Sequence, residues 1–216
     1  MKISRIAVLP LFSLVSLTAL ALLSSAAQAE QVRVVNFASP NEKLTLWVDG
    51  KEVRAGIDAN KASTFVGVGV GRKNVVLFSD RGVPRPFILE TKVGKRYTLV
   101  LGGGDFPRII PFEENLNGSA PDGQVSLRVY NVSRSSGNIS LQAGSGPAQL
   151  KSYALGETGQ VWIPRDTTNL TLRFAGSSVE LAGTKNKLER DTNVFVLERD
   201  LGGGGVFAQN LTVLND

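Results

Sequence analysis

The stretch VRVVN (Val32–Asn36) returns 95 residues later as LRVYN (Leu127–Asn131), and the reading of that repeat decides the fold. Both copies are β-branched and apolar around one arginine and end on asparagine, a composition that suits a strand closed by a side-chain turn bond. At the same spacing LTL (Leu44–Leu46) falls on ISL (Ile139–Leu141), and NVVL (Asn74–Leu77) on NLTL (Asn169–Leu172). YTLVLGGG (Tyr97–Gly104) has a looser counterpart in VFVLERDLGGGG (Val194–Gly205), with the glycines shifted. One duplicated domain accounts for all four matches.

Outward from the repeat the chain stays strand-rich. Leu44, Leu46 and Val48 alternate along one strand, Asp49-Gly50 supplies a tight hairpin turn, and Lys51 begins the return. Further strands are expected over 32–37, 64–70, 74–78, 87–93, 97–101 and 108–112. A second run is expected over 125–132, 139–143, 149–155, 160–163, 169–174, 179–182, 193–198 and 206–213. In TFVGVGVG (Thr64–Gly71) glycines alternate with Val66, Val68 and Val70, so the valines are expected to face a core while the glycines leave the other face bare. This is no phosphate loop, because a strand pattern and not a helix follows it. The polar, turn-rich stretch 115–124 reads as a linker. The expected architecture is all-β: two tandem antiparallel β-sandwich domains from an internal duplication, spanning 30–114 and 125–216, each with its own core. A single closed barrel is the rival.

Residues 1–29 read as a cleaved export signal: Lys2 and Arg5 precede an apolar run from Ile6 to Leu23, and Ala27-Gln28-Ala29 is a small-x-small cleavage site. Removing it leaves 187 residues with 22 basic and 19 acidic side chains, scattered and nearly balanced. The chain has no cysteine and no histidine. Without cysteine there is no disulfide framework, which leans toward a bacterial periplasm, and no lipid attachment at a processed cysteine, so no stable membrane insertion is expected after cleavage. Without histidine the Ser-His and Cys-His nucleophile pairs and most zinc or iron sites are excluded. Five Asn-x-Ser/Thr triplets, at Asn117, Asn131, Asn138, Asn169 and Asn210, read as accidents of a composition rich in these residues.

Few side chains offer chemistry. Arg33 and Arg128 are expected on the solvent side of their strands, with Asn36 and Asn131 closing the turns; a ligand-facing pair is the alternative. Glu113-Glu114, Asp49, Asp80, Asp105 and Asp122 are candidates for a carboxylate pair, but most flank Gly or Pro, where acids serve turns. Trp47 and Trp162 either pack or offer sugar-stacking faces. Gly102–Gly104 and Gly202–Gly205 suit hinges. No basic stripe with interleaved aromatics supports nucleic-acid binding. The expectation is therefore no catalytic residue, no metal site and no cofactor.

VRVVNFAS (Val32–Ser39), SLRVYNVS (Ser126–Ser133) and YTLVLGGG, behind an export signal, make the chain similar to the AlgF family of periplasmic accessory proteins for alginate O-acetylation, and to relatives in acetylated-cellulose clusters. Surface proteins with tandem RVVNASP domains share the first motif. The resemblance implies a non-catalytic periplasmic adaptor that helps pass acetyl groups to acetyltransferases acting on an exopolysaccharide. Its partners would be periplasmic and membrane-bound polysaccharide acetyltransferases and the polysaccharide itself. A carbohydrate-binding or adhesion module of the cell envelope is the second reading.

Overall fold

The computed structural model describes residues 30–38, 41–102, 108–115, 121–132, 139–143, 154–165, 167, 170–174, 177–182, 191–200 and 207–215. The strands of the first half are β1 (Gln31–Asn36), β2 (Leu44–Val48), β3 (Lys51–Ile57), β4 (Lys61–Ala62), β5 (Val66–Gly67), β6 (Gly71–Ser79), β7 (Pro84–Thr91), β8 (Lys95–Gly102) and β9 (Arg108–Asn115). Those of the second half are β10 (Gln124–Asn131), β11 (Ile139–Ala143), β12 (Thr158–Pro164), β13 (Leu170–Phe174), β14 (Ser177–Ala182), β15 (Thr192–Asp200) and β16 (Phe207–Asn215). They form four sheets and not one closed barrel: β4-β1-β8-β9 with β5 also on β1, β3-β2-β6-β7, β12-β10-β15-β16, and β11-β13-β14.

Two of these sheets are mixed, which corrects the expectation of purely antiparallel sandwiches. β1 lies parallel to β8, with Gln31 beside Arg96, and β10 lies parallel to β15, with Leu127 beside Thr192. A parallel pair needs a long crossover. In the first half that crossover is the whole β3-β2-β6-β7 sheet, which the chain builds before returning alongside its first strand. Tyr97 lies beside Val32 and Thr192 beside Leu127, so the partners are 65 residues apart in both halves. The register thus equates Tyr97 with Thr192, where the shifted glycines had suggested Val194.

Core packing explains why β1 and β8 are buried on both faces along nearly their whole length. Val32 and Val34 of β1 and Tyr97, Leu99 and Leu101 of β8 pack on Leu44, Leu46, Val48, Val75, Leu77 and Leu89 of the β3-β2-β6-β7 sheet. The alternate residues, Val35 and Val100, point the other way and join Phe112, Tyr130, Val132, Phe195 and Leu197 in a second core that draws on both halves of the chain. A sheet buried on both faces loses the in-out alternation of a half-solvated one. The halves therefore share a core besides the one expected within each.

Local chemistry sets the turns. Asp49 and Gly50 have φ of 50° and 77°, the doubly positive geometry of a tight hairpin, and Asp49 Oδ1 accepts the Asn74 N–H. Asn36 closes β1 as expected: its Nδ2 donates to the carbonyls of Glu42 and Ile57, and its Oδ1 accepts the Ala38 N–H. The glycine-valine stretch is less regular than the sequence suggests. Within it only Val66 and Gly67 and, as the first residue of β6, Gly71 are paired as strand; Gly69 and Gly71 take φ of 71° and 104°, and the Thr91 hydroxyl is within hydrogen-bonding distance of the Gly69 and Gly71 carbonyls (2.7 and 2.8 Å). Val66 and Val68 reach the core, whereas that turn leaves Val70 53% exposed.

The Ser79 hydroxyl is buried and has no hydrogen-bond partner. A buried hydroxyl without a partner carries its desolvation cost uncompensated. Ser79→Ala is expected to raise stability by about 0.5–1 kcal/mol, read as a higher urea midpoint at unchanged slope; a loss of stability would show that the hydroxyl is satisfied.

A buried ionic cluster as the candidate functional site

The face of the β4-β1-β8-β9 sheet that meets the second half is not purely apolar. β9 delivers Glu114 into the interface, with its side chain 1% exposed. One carboxylate oxygen accepts the hydroxyls of Thr98 and Tyr130 at 2.5 and 2.6 Å. The other accepts Arg128 Nη1 at 2.6 Å and Arg96 Nε at 2.9 Å. Two donors come from β8 of the first half and two from β10 of the second.

Arg33 completes the cluster. Its Nε donates to Thr98 Oγ1 at 2.9 Å, and its Nη2 donates to the Tyr130 hydroxyl at 2.8 Å and to Asn193 Oδ1 at 3.1 Å. The Phe65 ring lies 4.6 Å from the Arg33 guanidinium and 4.7 Å from that of Arg96, adding cation–π attraction. On the far side Arg128 also donates to Gln160, which in turn donates to Ser126 Oγ at 2.7 Å. Arg33 and Arg128 are 2% and 4% exposed, so their expected place on the solvent side is wrong. Sequence reasoning took the polar residue of an alternating strand to mark the wet face. The missed signal was Val35, apolar on the same face as Arg33, as Tyr130 is on that of Arg128.

Tyr130 is the hinge of polar and apolar packing. Its ring stacks on Phe195 at 4.4 Å and meets Phe112 edge-on at 5.1 Å, while Phe37 meets Phe195 edge-on at 5.2 Å. Burial, aided by the Glu114 charge and opposed by Arg33 and Arg128, pushes the Tyr130 phenol up to about 12. The hydroxyl thus remains a donor to Glu114 across the physiological range.

The other sequence candidates stay apart. Glu113, next to Glu114, points outward; the hydrogen bond from Lys92 at 2.8 Å holds its carboxyl below the usual range. Adjacent strand residues face opposite sides, so these two carboxylates form no catalytic pair. Asp49 is spent on its hairpin, and Asp80 and Asp122 are exposed turn residues. Trp47 is half-buried, edge-on to Phe78 at 5.7 Å, and Trp162 is half-buried opposite Ser126. Asn131 is fully buried, so that triplet is closed to modification in the folded chain. Gly102 ends β8 against Val132, Phe37 and Leu197, where the halves approach closely. Asp105, Asn117, Asn138, Asn169, Gly103, Gly104 and Gly202–Gly205 lie outside the described residues. Among the described residues no three His, Cys, Asp or Glu side chains converge in a way that could hold a metal ion.

Chemically, the arrangement can clamp. Removing one partner of a buried ion pair leaves an uncompensated charge and costs about 3–5 kcal/mol, whereas apolar replacement of both is far milder. Glu114→Leu is expected to lower unfolding free energy by that amount, and adding Arg128→Met to recover at least half; a double variant no better than the single would refute the coupling. The phenol adds a pH signature. Tyr130 ionises near 10 when unfolded and near 12 when folded, so its contribution is complete below pH 10 and is lost as pH rises through about 12. Tyrosinate absorbance should show one phase near that upper value which Tyr130→Phe abolishes, and stability should fall by on the order of 2–3 kcal/mol across that window in the parent.

Residues 30–142, just over half of the chain, match the family described as a domain of unknown function, DUF4397, and the chain belongs to that family. The match runs through the first half and continues across β10 and nearly all of β11. No curated protein matches the chain.

Proposed function

We propose that this DUF4397 chain is a non-catalytic periplasmic adaptor in the O-acetylation of a secreted exopolysaccharide, built as two tandem β-sandwiches that arose by duplication. The duplication reading is supported by register. Parallel central strands pair at the same 65-residue separation in both halves, and β2 and β11 lie 95 residues apart end to end. The pathway and the periplasmic location rest on the export-type leader and on the VRVVN and LRVYN resemblance.

The observation that carries the adaptor reading is the use made of the polar groups. A cluster of charged and hydroxyl side chains is buried between the halves, where Glu114 accepts four hydrogen bonds from its own chain. A nucleophile or general acid needs access to substrate and a free valence, and these groups have neither. What such a molecule offers a partner is a rigid surface. The chemistry of acetyl transfer then belongs to the acetyltransferases it contacts. Deleting the gene should abolish acetylation of the polymer while polymer output persists, measured as ester acetyl per sugar residue; unchanged acetyl content would overturn the proposal.

A further inference from the structure

The outer face of the β3-β2-β6-β7 sheet, turned away from β1 and β8, carries Trp47, Val76, Phe78, Pro84, Pro86 and Ile88. The register sets Trp47, Val76 and Pro86 in one row across three strands, and Phe78 and Pro84 in the next. Both prolines are exposed, Ile88 is 49% exposed, and the other three are half-buried. A contiguous apolar strip of this kind on a solvent-facing sheet marks a contact surface.

The second half supplies an internal control. There β11 pairs with β13 as β2 pairs with β6, so Trp47 opposite Val76 becomes Gln142 opposite Thr171, and Thr45 opposite Phe78 becomes Ser140 opposite Arg173. The same strand pairing is thus built with polar residues at every one of these positions. The apolar strip answers to something other than the fold.

Its geometry selects the occupant. Trp47 and Phe78 stand at 69° to each other, so they offer no common plane on which successive sugar rings could stack. At one end of the strip Arg72 and Glu90 are exposed register partners on β6 and β7. A two-fold axis running along the strands between β6 and β7 lays Arg72 over the partner subunit's Glu90. It also lays Val76 over the partner subunit's Pro86 and Phe78 over the partner subunit's Pro84. The same operation lays Asn74 over the partner subunit's Ile88 and leaves Trp47, on β2, at the flank of the contact. The surface thus meets itself in charge at Arg72 and Glu90 and in apolar contact at the Val76 and Phe78 rows, as an isologous contact requires. We propose that the chain forms a two-fold dimer by packing this face on its own copy, sheet against sheet.

Sedimentation velocity on the purified protein, from about 1 to 200 µM, should show a monomer–dimer equilibrium. Replacing the strip with the residues of the second half, Trp47→Gln, Val76→Thr and Phe78→Arg together, should leave a folded monomer throughout that range. Arg72→Glu alone should raise the dimer Kd about tenfold, and Arg72→Glu with Glu90→Arg should restore it; this pair decides the matter if the triple variant does not fold. A parent that stays monomeric overturns the proposal, as does a dimer that survives either disruption or that the charge swap fails to rescue. So does a monomeric parent whose Trp47 fluorescence responds to polysaccharide, which would assign the face to sugar.

Discussion

A single carboxylate, that of Glu114, sits between two β-sheets with almost no exposure and accepts hydrogen bonds from four side chains, two from each half of the chain. Taking that charge out of water is expensive unless every lone pair is met, and here the second half supplies Arg128 and Tyr130 to meet it. The halves are therefore coupled by a condition that admits little slack. An apolar interface alone would tolerate sliding by a fraction of a residue, whereas hydrogen bonds weaken steeply with distance and angle. The aromatic ladder of Phe112, Tyr130, Phe195 and Phe37 supplies the burial, and the carboxylate supplies the alignment.

Much of the fold was legible because strands announce themselves locally. β2 and β11 fall where alternation and the 95-residue spacing put them, and the Asp49-Gly50 hairpin follows from backbone sterics that two residues decide. The candidate site was not legible, for a physical reason. Arg33 meets Tyr130 and Asn193 across 97 and 160 residues of chain, and no local pattern reports a contact of that range. Period-two reasoning also presumes one wet face, and β1 has none. The glycine-valine stretch failed differently: a positive φ at Gly69 turned the chain where composition alone suggested a continuous strand.

Beside the apolar cores, two surfaces run against the usual sorting of polar and apolar side chains. The interface between halves holds arginines and a glutamate, while the outer face of the β3-β2-β6-β7 sheet carries exposed prolines and isoleucine beside a half-buried tryptophan. The DUF4397 match spans the clamped first half and enters the second, so Glu114, Arg128 and Tyr130 all lie inside the family region.

The parallel pairing of β1 with β8 also bears on how the chain reaches its native state. β1 is the first described strand; β4 and β5 pair with one edge of it, while its other edge pairs with the eighth strand, across a long intervening segment. Contact order is raised accordingly, and closure entropy is spent before the pairing repays it, so folding should be slow for a domain of this size. Until β8 arrives, β1 lacks its main-chain partner there, and its unpaired amides and carbonyls are the kind of edge that holdase chaperones and wrong partners bind.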